Sequence, residues 1–89
     1  MPQITDWSII VDYNGRRKLE RQFTFRNFIK PMEFANLILG VSEQQRHHPR
    51  ITVEWGRLTV SWSTYAIGGL HRNDFIMASK TDTLFDGFQ

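Results

Sequence analysis

Apolar and polar residues alternate along several short stretches of this chain and fall at helical spacing along one long one. From Trp7 to Tyr13 the run Trp-Ser-Ile-Ile-Val-Asp-Tyr is rich in β-branched and aromatic side chains. Such residues suit a pleated, half-buried surface and predict a strand. Asn14-Gly15 follows, two residues that tolerate positive φ, and predicts a hairpin turn. Between Lys18 and Phe25, Leu19, Arg21, Phe23 and Phe25 share one face, while Lys18, Glu20, Gln22 and Thr24 share the other. One side should be covered and one side wet. Arg21 interrupts the apolar face, which places it near a sheet edge where its head reaches water.

Asn27 is the candidate N-cap of a helix from Phe28 to about Gln45. Phe28, Met32, Ala35, Ile38, Leu39 and Ser42 recur at three- and four-residue steps, and Phe34, Leu37 and Val41 widen the stripe. Pro31 falls in the first turn, where a missing N–H costs least. Gly40 weakens a helix interior by about 1 kcal/mol relative to Ala, which implies a close packing contact there. Pro49 should end the helix, because the residue before proline is pushed out of the α region. Arg50–Trp55 and Leu58–Thr64 alternate on either side of a turn at Trp55-Gly56-Arg57 and predict a second hairpin. Gly68-Gly69 breaks the chain, Asp74 to about Lys80 reads as a short helix, and Thr81–Gln89 carries no assigned element. The order β-β-α-β-β-α predicts an α+β, two-layer fold, with a four-stranded antiparallel sheet carrying helices on one face, as a single domain over residues 1–89.

Composition narrows the classes. Eighty-nine residues, 40% of them hydrophobic, can build one core and not two. A chain of this size hides only about 60–65% of its unfolded surface on folding, so a symmetric partner is expected. Phe28, Phe34 and Leu37-Ile38-Leu39 are also more apolar groups than one helix face over a small sheet requires. Both points suggest a homodimer or homotetramer. Without cysteine there is no disulfide scaffold or thiolate metal site. No apolar run approaches the roughly 18 residues of a membrane span, and Met1–Asp6 is too short for a signal peptide, so a cytoplasmic location is expected. Eleven basic against nine acidic side chains leave a formal +2, too mild for a typical nucleic-acid binder. Arg16-Arg17-Lys18, with Arg21, therefore reads as a charged, solvated turn that blunts a sheet edge.

One stretch is chemically loaded: Glu43-Gln44-Gln45-Arg46-His47-His48-Pro49. Two adjacent histidines stand where a helix gives way to a strand, and side chains on neighbouring non-helical residues diverge. The pair can therefore touch two edges of one bound molecule. Imidazole gives and takes protons near neutral pH, which suits both groups to acid–base work. Glu43 precedes His47 by about one helical turn and could hold an imidazole's orientation. Adjacent histidines seldom aim at one ion, and no carboxylate spacing supports a metal site.

The pattern extends beyond the pair. Glu43, three residues, His47-His48-Pro49, five residues, Trp55, nine residues, Tyr65, eight residues and Asp74 resemble the signature of the pterin-4a-carbinolamine dehydratases. Trp7, the run Leu19–Phe28, the run Leu58–Thr64, Gly69-Leu70 and Ala78-Ser79 are similar to the family as well, so the likeness covers residues 7–78. It implies a small antiparallel sheet with helices on one side. It also implies dehydration of a 4a-hydroxytetrahydropterin such as 4a-hydroxytetrahydrobiopterin to the quinonoid dihydropterin, in tetrahydrobiopterin recycling, with no metal or cofactor. An acid would protonate the departing hydroxyl and a base would take the proton of the adjacent ring nitrogen.

By the same resemblance, His47 is the general acid or base, and His48 binds the pterin and stabilises charge. Ser63, Thr64 and Tyr65 form the opposing wall, while Glu43, Arg46 and Asp74 sit at substrate-binding or supporting positions. The sequence departs from the family at two of these places and at two neighbouring positions. Tyr65 stands for the strand histidine, Arg46 for an acidic residue, Asn73 for a basic one, and His71 for the hydroxyl that caps the last helix. A tyrosine can donate a hydrogen bond to a leaving hydroxyl but is a poor base at neutral pH. The longer members' N-terminal helix has no counterpart in the six residues before Trp7. The alternative reading is a catalytically weak or inactive dehydratase-like binding or assembly protein that acts through protein contacts.

Overall fold

The computed structural model of the chain describes residues 5–64 and 69–88. Its elements run β1 (Ser8–Val11), β2 (Arg17–Thr24), α1 (Ile29–Gln45), β3 (Arg50–Glu54), β4 (Arg57–Trp62) and α2 (Arg72–Phe88). The four strands form one antiparallel sheet in the order β1-β2-β4-β3. Leu19 pairs with Trp62, Arg21 with Val60 and Phe23 with Leu58; on the far side Ile51 pairs with Val60 and Val53 with Leu58. Period-two alternation thus puts all these apolar side chains on one face. Both helices pack there, and Leu19, Phe23, Phe34, Ile38, Leu58, Val60, Trp62, Met77 and Ala78 form the buried core. This is the α+β two-layer arrangement that the hydrophobic pattern predicts.

Some local expectations hold and others change. Asn14-Gly15 does lie in the turn of the β1–β2 hairpin, as the sequence predicts. Asp12 and Arg16 close the hairpin through Asp12 N–H to Arg16 O at 2.9 Å, and Asp12 Oδ1 accepts the Asn14 and Arg16 amides. Gly15, at φ +79°, fills the left-handed position of the resulting three-residue loop. Arg21 does not lie at an edge, because β2 is flanked by β1 and β4. Its guanidinium donates to Asp82 Oδ1 at 2.7 Å and covers the Phe23 ring at 4.3 Å, so a partner on α2 replaces water.

The buried face of α1 is Pro31, Phe34, Ile38 and Ser42, while Phe28, Met32 and Leu39 are exposed. Phe34 centres the buried stripe because it meets Phe23, Phe85 and Phe88 at ring distances of 5.1, 5.4 and 5.4 Å. A Cβ on Gly40 would meet nothing within 4 Å, so no close packing explains that glycine. Phe28 is the N-cap position, but Asn27, one residue earlier, supplies the side-chain bond at the helix start, its Oδ1 accepting the Lys30 amide at 2.8 Å.

The last helix is the largest departure. It runs to Phe88 rather than stopping near Lys80. Asp74, Met77, Ala78, Thr81, Phe85 and Phe88 recur at helical spacing, but polar Thr81 hides the period. Thr81 is fully buried, with its hydroxyl donating to Met77 O at 2.7 Å and accepting from Trp62 Nε1 at 3.1 Å. A satisfied hydroxyl is tolerated in a core, so the apolar stripe continues through it.

Candidate active site

The site begins where α1 ends. Helix α1 ends at Gln45, four residues before Pro49, and the next residue, Arg46, has a left-handed φ of +54° and ψ of +39°. The amides of Arg46 and His47 both turn back to Ser42 O, the latter at 3.1 Å. This reversal, not the proline, terminates the helix. It also separates the two imidazoles, sending one inward and one outward.

His47 packs flat on the Trp62 indole, with ring centroids 5.5 Å apart. Its Nε2 lies 2.6 Å from Asp74 Oδ1. Asp74 is fully buried in the first turn of α2, and its Oδ2 accepts the Thr64 hydroxyl at 2.8 Å and the His71 amide at 2.9 Å. A carboxylate already taking these donors is an acceptor toward His47 as well. We therefore assign the imidazole hydrogen to Nε2, which leaves a lone pair on Nδ1. The indole face and the carboxylate can both accommodate positive charge on this ring when it takes a proton.

His71 replaces the hydroxyl cap rather than losing it. Its Nδ1 accepts the Asn73 amide at 3.1 Å while Asp74 accepts the His71 amide, a reciprocal arrangement like a capping box. Asp74 thus fixes the helix start, Thr64 and His47 with one carboxylate.

His48 points the other way. Its Nε2 meets Glu43 Oε2 at 2.5 Å, and both groups face solvent. Beside it, a cleft of about 340 Å³ opens at the end of the sheet, within the size range of small-ligand sites. His48, Pro49, Ser63, Thr64 and Gly69 form one side, and Arg16, Arg17 and Lys18 from the β1–β2 hairpin form the other. Thr64 and Gly69 exchange backbone hydrogen bonds at 2.9 and 3.4 Å, which pins that wall.

Of the residues singled out from sequence, His48, Ser63 and Thr64 line the cleft. His47 and Asp74 lie outside its lining and connect to it through Thr64. Glu43 reaches the site only by way of His48, and Arg46 is an exposed helix terminus. Tyr65 lies outside the described residues. Sequence reasoning missed Trp62 as the plate under His47, although its place two residues before Thr64 on one strand was a usable signal. It also missed that the hairpin cations and Arg50 share this cleft. Among the described residues no group of three or more acidic, histidine or cysteine side chains could hold a metal ion.

A two-layer α+β fold with a histidine pair at a helix–strand junction defines a class that comparison with known proteins makes specific. The family model for pterin 4 alpha carbinolamine dehydratase matches residues 1–84. The chain belongs to this family. A protein of Marinobacter nauticus named "Putative pterin-4-alpha-carbinolamine dehydratase" is 46% identical over 96% of this chain and 76% of its own length. One of the same name from Syntrophotalea carbinolica is 48% identical over 94% and 74%. Among solved structures, a transcriptional coactivator/pterin dehydratase from Brucella melitensis superposes with a TM-score of 0.80 at 25% identity, covering 91% of this chain and 83% of that one. A pterin dehydratase-like RuBisCO assembly factor of the α-carboxysome shares the fold, with a TM-score of 0.72 at 16% identity over 89% and 88%.

Proposed function

We propose that this protein dehydrates a 4a-hydroxytetrahydropterin, such as 4a-hydroxytetrahydrobiopterin, to the quinonoid dihydropterin, in tetrahydrobiopterin recycling. Family membership supports the reaction class, and one observation carries the assignment of roles: the fully buried carboxylate of Asp74 lies 2.6 Å from Nε2 of one of the paired imidazoles. In the reaction the C4a–O bond breaks, the N5–H proton leaves and a C4a=N5 double bond forms, so one water is released. His47, with Nδ1 available and Nε2 fixed by Asp74, is the acid–base group. Asp74 is a positioning residue.

His48, oriented by Glu43, binds the pterin and stabilises charge on the ring system as the hydroxyl departs. Ser63 and Thr64 offer hydroxyls to the pterin's amide edge, Arg46 supports binding from the helix end, and the Tyr65 hydroxyl is assigned to the leaving group on the sequence pattern alone. No step requires a metal or cofactor. Exposed Phe28, Ile29, Met32 and Leu39 along α1 support assembly into a homodimer or homotetramer, because an isolated subunit would leave them in water. No helix among the described residues is long and apolar enough to cross a membrane.

Stopped-flow dehydration of 4a-hydroxytetrahydrobiopterin by purified protein, beside His47→Ala, tests the reading. Acceleration over buffer that the substitution removes is expected. A rate no faster than buffer, or one indifferent to His47→Ala, would overturn it. A Tyr65→His variant that turns over faster would place that position in the chemistry.

A further inference from the structure

Arg16 and Arg17 are exposed beside the edge strand β1, as a charged, solvated turn requires, and the cluster also faces a cleft. Arg17 and Lys18 belong to β2, an interior strand, and with Arg16 they line the same cleft as His48 and Arg50. Residues 16–18 and 50 are far apart in sequence. The order β2-β4-β3 brings them together, with Ser61 in register between Glu20 and Arg50 on the sheet's open face.

The charges of this cleft are unbalanced. Four of its lining residues are cations, Arg16, Arg17, Lys18 and Arg50, against one carboxylate, Asp12. Asp12 Oδ1 is already engaged by two hairpin amides, and Lys18 is tied to Glu20 at 3.7 Å. No carboxylate among the described residues lies within 4 Å of Arg17 or Arg50. Cations gathered around a concavity focus positive potential into it, and an anionic occupant relieves the repulsion between Arg17 and Arg50. A pterin ring without a charged substituent is recognised by hydrogen bonds and stacking and would gain little from this surplus. The guanidinium fork, by contrast, matches phosphate and carboxylate oxygens.

We propose that the cleft takes a pterin whose side chain carries an anionic group, a phosphate or a carboxylate, held by Arg17 and Arg50 while the ring lies against His48 and Thr64. This substrate class rests on the pterin reading above. The mild net charge of the chain places the anion site in one small-molecule cleft rather than along an extended basic surface.

Calorimetric titration of the full chain with 7,8-dihydroneopterin, its phosphate monoester and 7,8-dihydrofolate tests the proposal at low ionic strength. One or both anionic probes should bind about tenfold tighter than the uncharged one, ~1.4 kcal/mol. Which of them does so tells phosphate from carboxylate. The preference should shrink toward unity in about 1 M salt, where the screening length falls to roughly 3 Å. It should also shrink in the Arg17→Gln/Arg50→Gln double variant. Equal binding of charged and uncharged probes, or a preference that survives the double substitution, would overturn the proposal. The wild-type ratio needs no variant to fold. Failure of all three probes to bind is a different result, which sinks the pterin reading itself and this inference with it.

Discussion

Asp74 Oδ1 lies 2.6 Å from His47 Nε2, joining the first turn of α2 to the residue that follows the left-handed terminus of α1. The same carboxylate accepts from Thr64 and from the His71 amide. Helix capping and imidazole orientation are therefore one structural feature, and neither can be altered alone.

Asp74→Asn keeps the shape but offers a donor where His47 or Thr64 needs an acceptor. We expect kcat for pterin dehydration to fall by about 10²-fold or more, with KM little changed. Stability should fall by ~1–3 kcal/mol, since a buried donor loses its partner. Rapid kinetics and urea unfolding on one preparation separate the two effects. A kcat within about twofold of wild type would remove His47–Asp74 from the mechanism.

Arg46 is the one described non-glycine residue at positive φ. A left-handed conformation costs a side-chain-bearing residue about 1–2 kcal/mol. Arg46→Gly should therefore raise unfolding stability by roughly 1 kcal/mol in urea. If Arg46 also serves substrate binding, KM rises in the same variant. Loss of stability would mean the side chain makes a contact that outweighs the strain.

Two glycines should respond oppositely to alanine. Gly56, at φ +74°, would bring a Cβ to 3.2 Å from Phe25 O, in a turn where its carbonyl accepts the Phe25 amide. Gly56→Ala should cost about 1–2 kcal/mol. Gly40 faces open space within a helix, so Gly40→Ala should stabilise by about 0.5–1 kcal/mol. A fall in stability or a change in sedimentation with Gly40→Ala would show that this face meets another subunit closely.

Glu54 and Arg57 flank the second hairpin turn, with two hydrogen bonds of 2.9 and 3.0 Å. The hydrogen bonds from Arg57 hold the Glu54 carboxyl below its ordinary value, outweighing a small opposing effect of burial, and the charge of Arg57 adds to the lowering. A carboxyl depressed in the folded state stabilises it above the unfolded pKa, and that contribution disappears as pH falls through the folded value. Titration followed by NMR should place Glu54 below an ordinary glutamate and return it to normal in Arg57→Gln. Because both groups face water, unfolding free energy should change little and the shift should weaken in salt. An unshifted Glu54 would show that the pair does not persist in solution.

Much of this architecture was legible in the residues themselves. Period two in Lys18–Phe25, Arg50–Trp55 and Leu58–Thr64 gives the strands and their covered face, because alternation is a property of the extended backbone. Asn27 supplies the side-chain bond at the start of α1, since a short polar side chain need only reach three residues onward. The His47-His48-Pro49 pattern, with its spacing to Trp55 and Asp74, carries the family resemblance. What local pattern misjudged was decided at a distance. The last helix continues through Thr81 because Trp62, nineteen residues earlier, supplies a partner for its hydroxyl. Arg21 stays among apolar neighbours because Asp82 meets it there.

Sequence alone determined the strand faces, the first helix and the candidate imidazoles, since each depends on residues only a few positions apart. The tertiary structure decided which carboxylate holds which histidine: Asp74 takes His47, and Glu43 takes His48. It also decided that Trp62 lies beneath His47 and that Arg17 and Arg50 share a cleft. Those pairings depend on strand order and on the chain reversal at Arg46. Backbone periodicity fixes the face on which a side chain emerges, but the distant residue opposite it is set only when helices and sheet pack together.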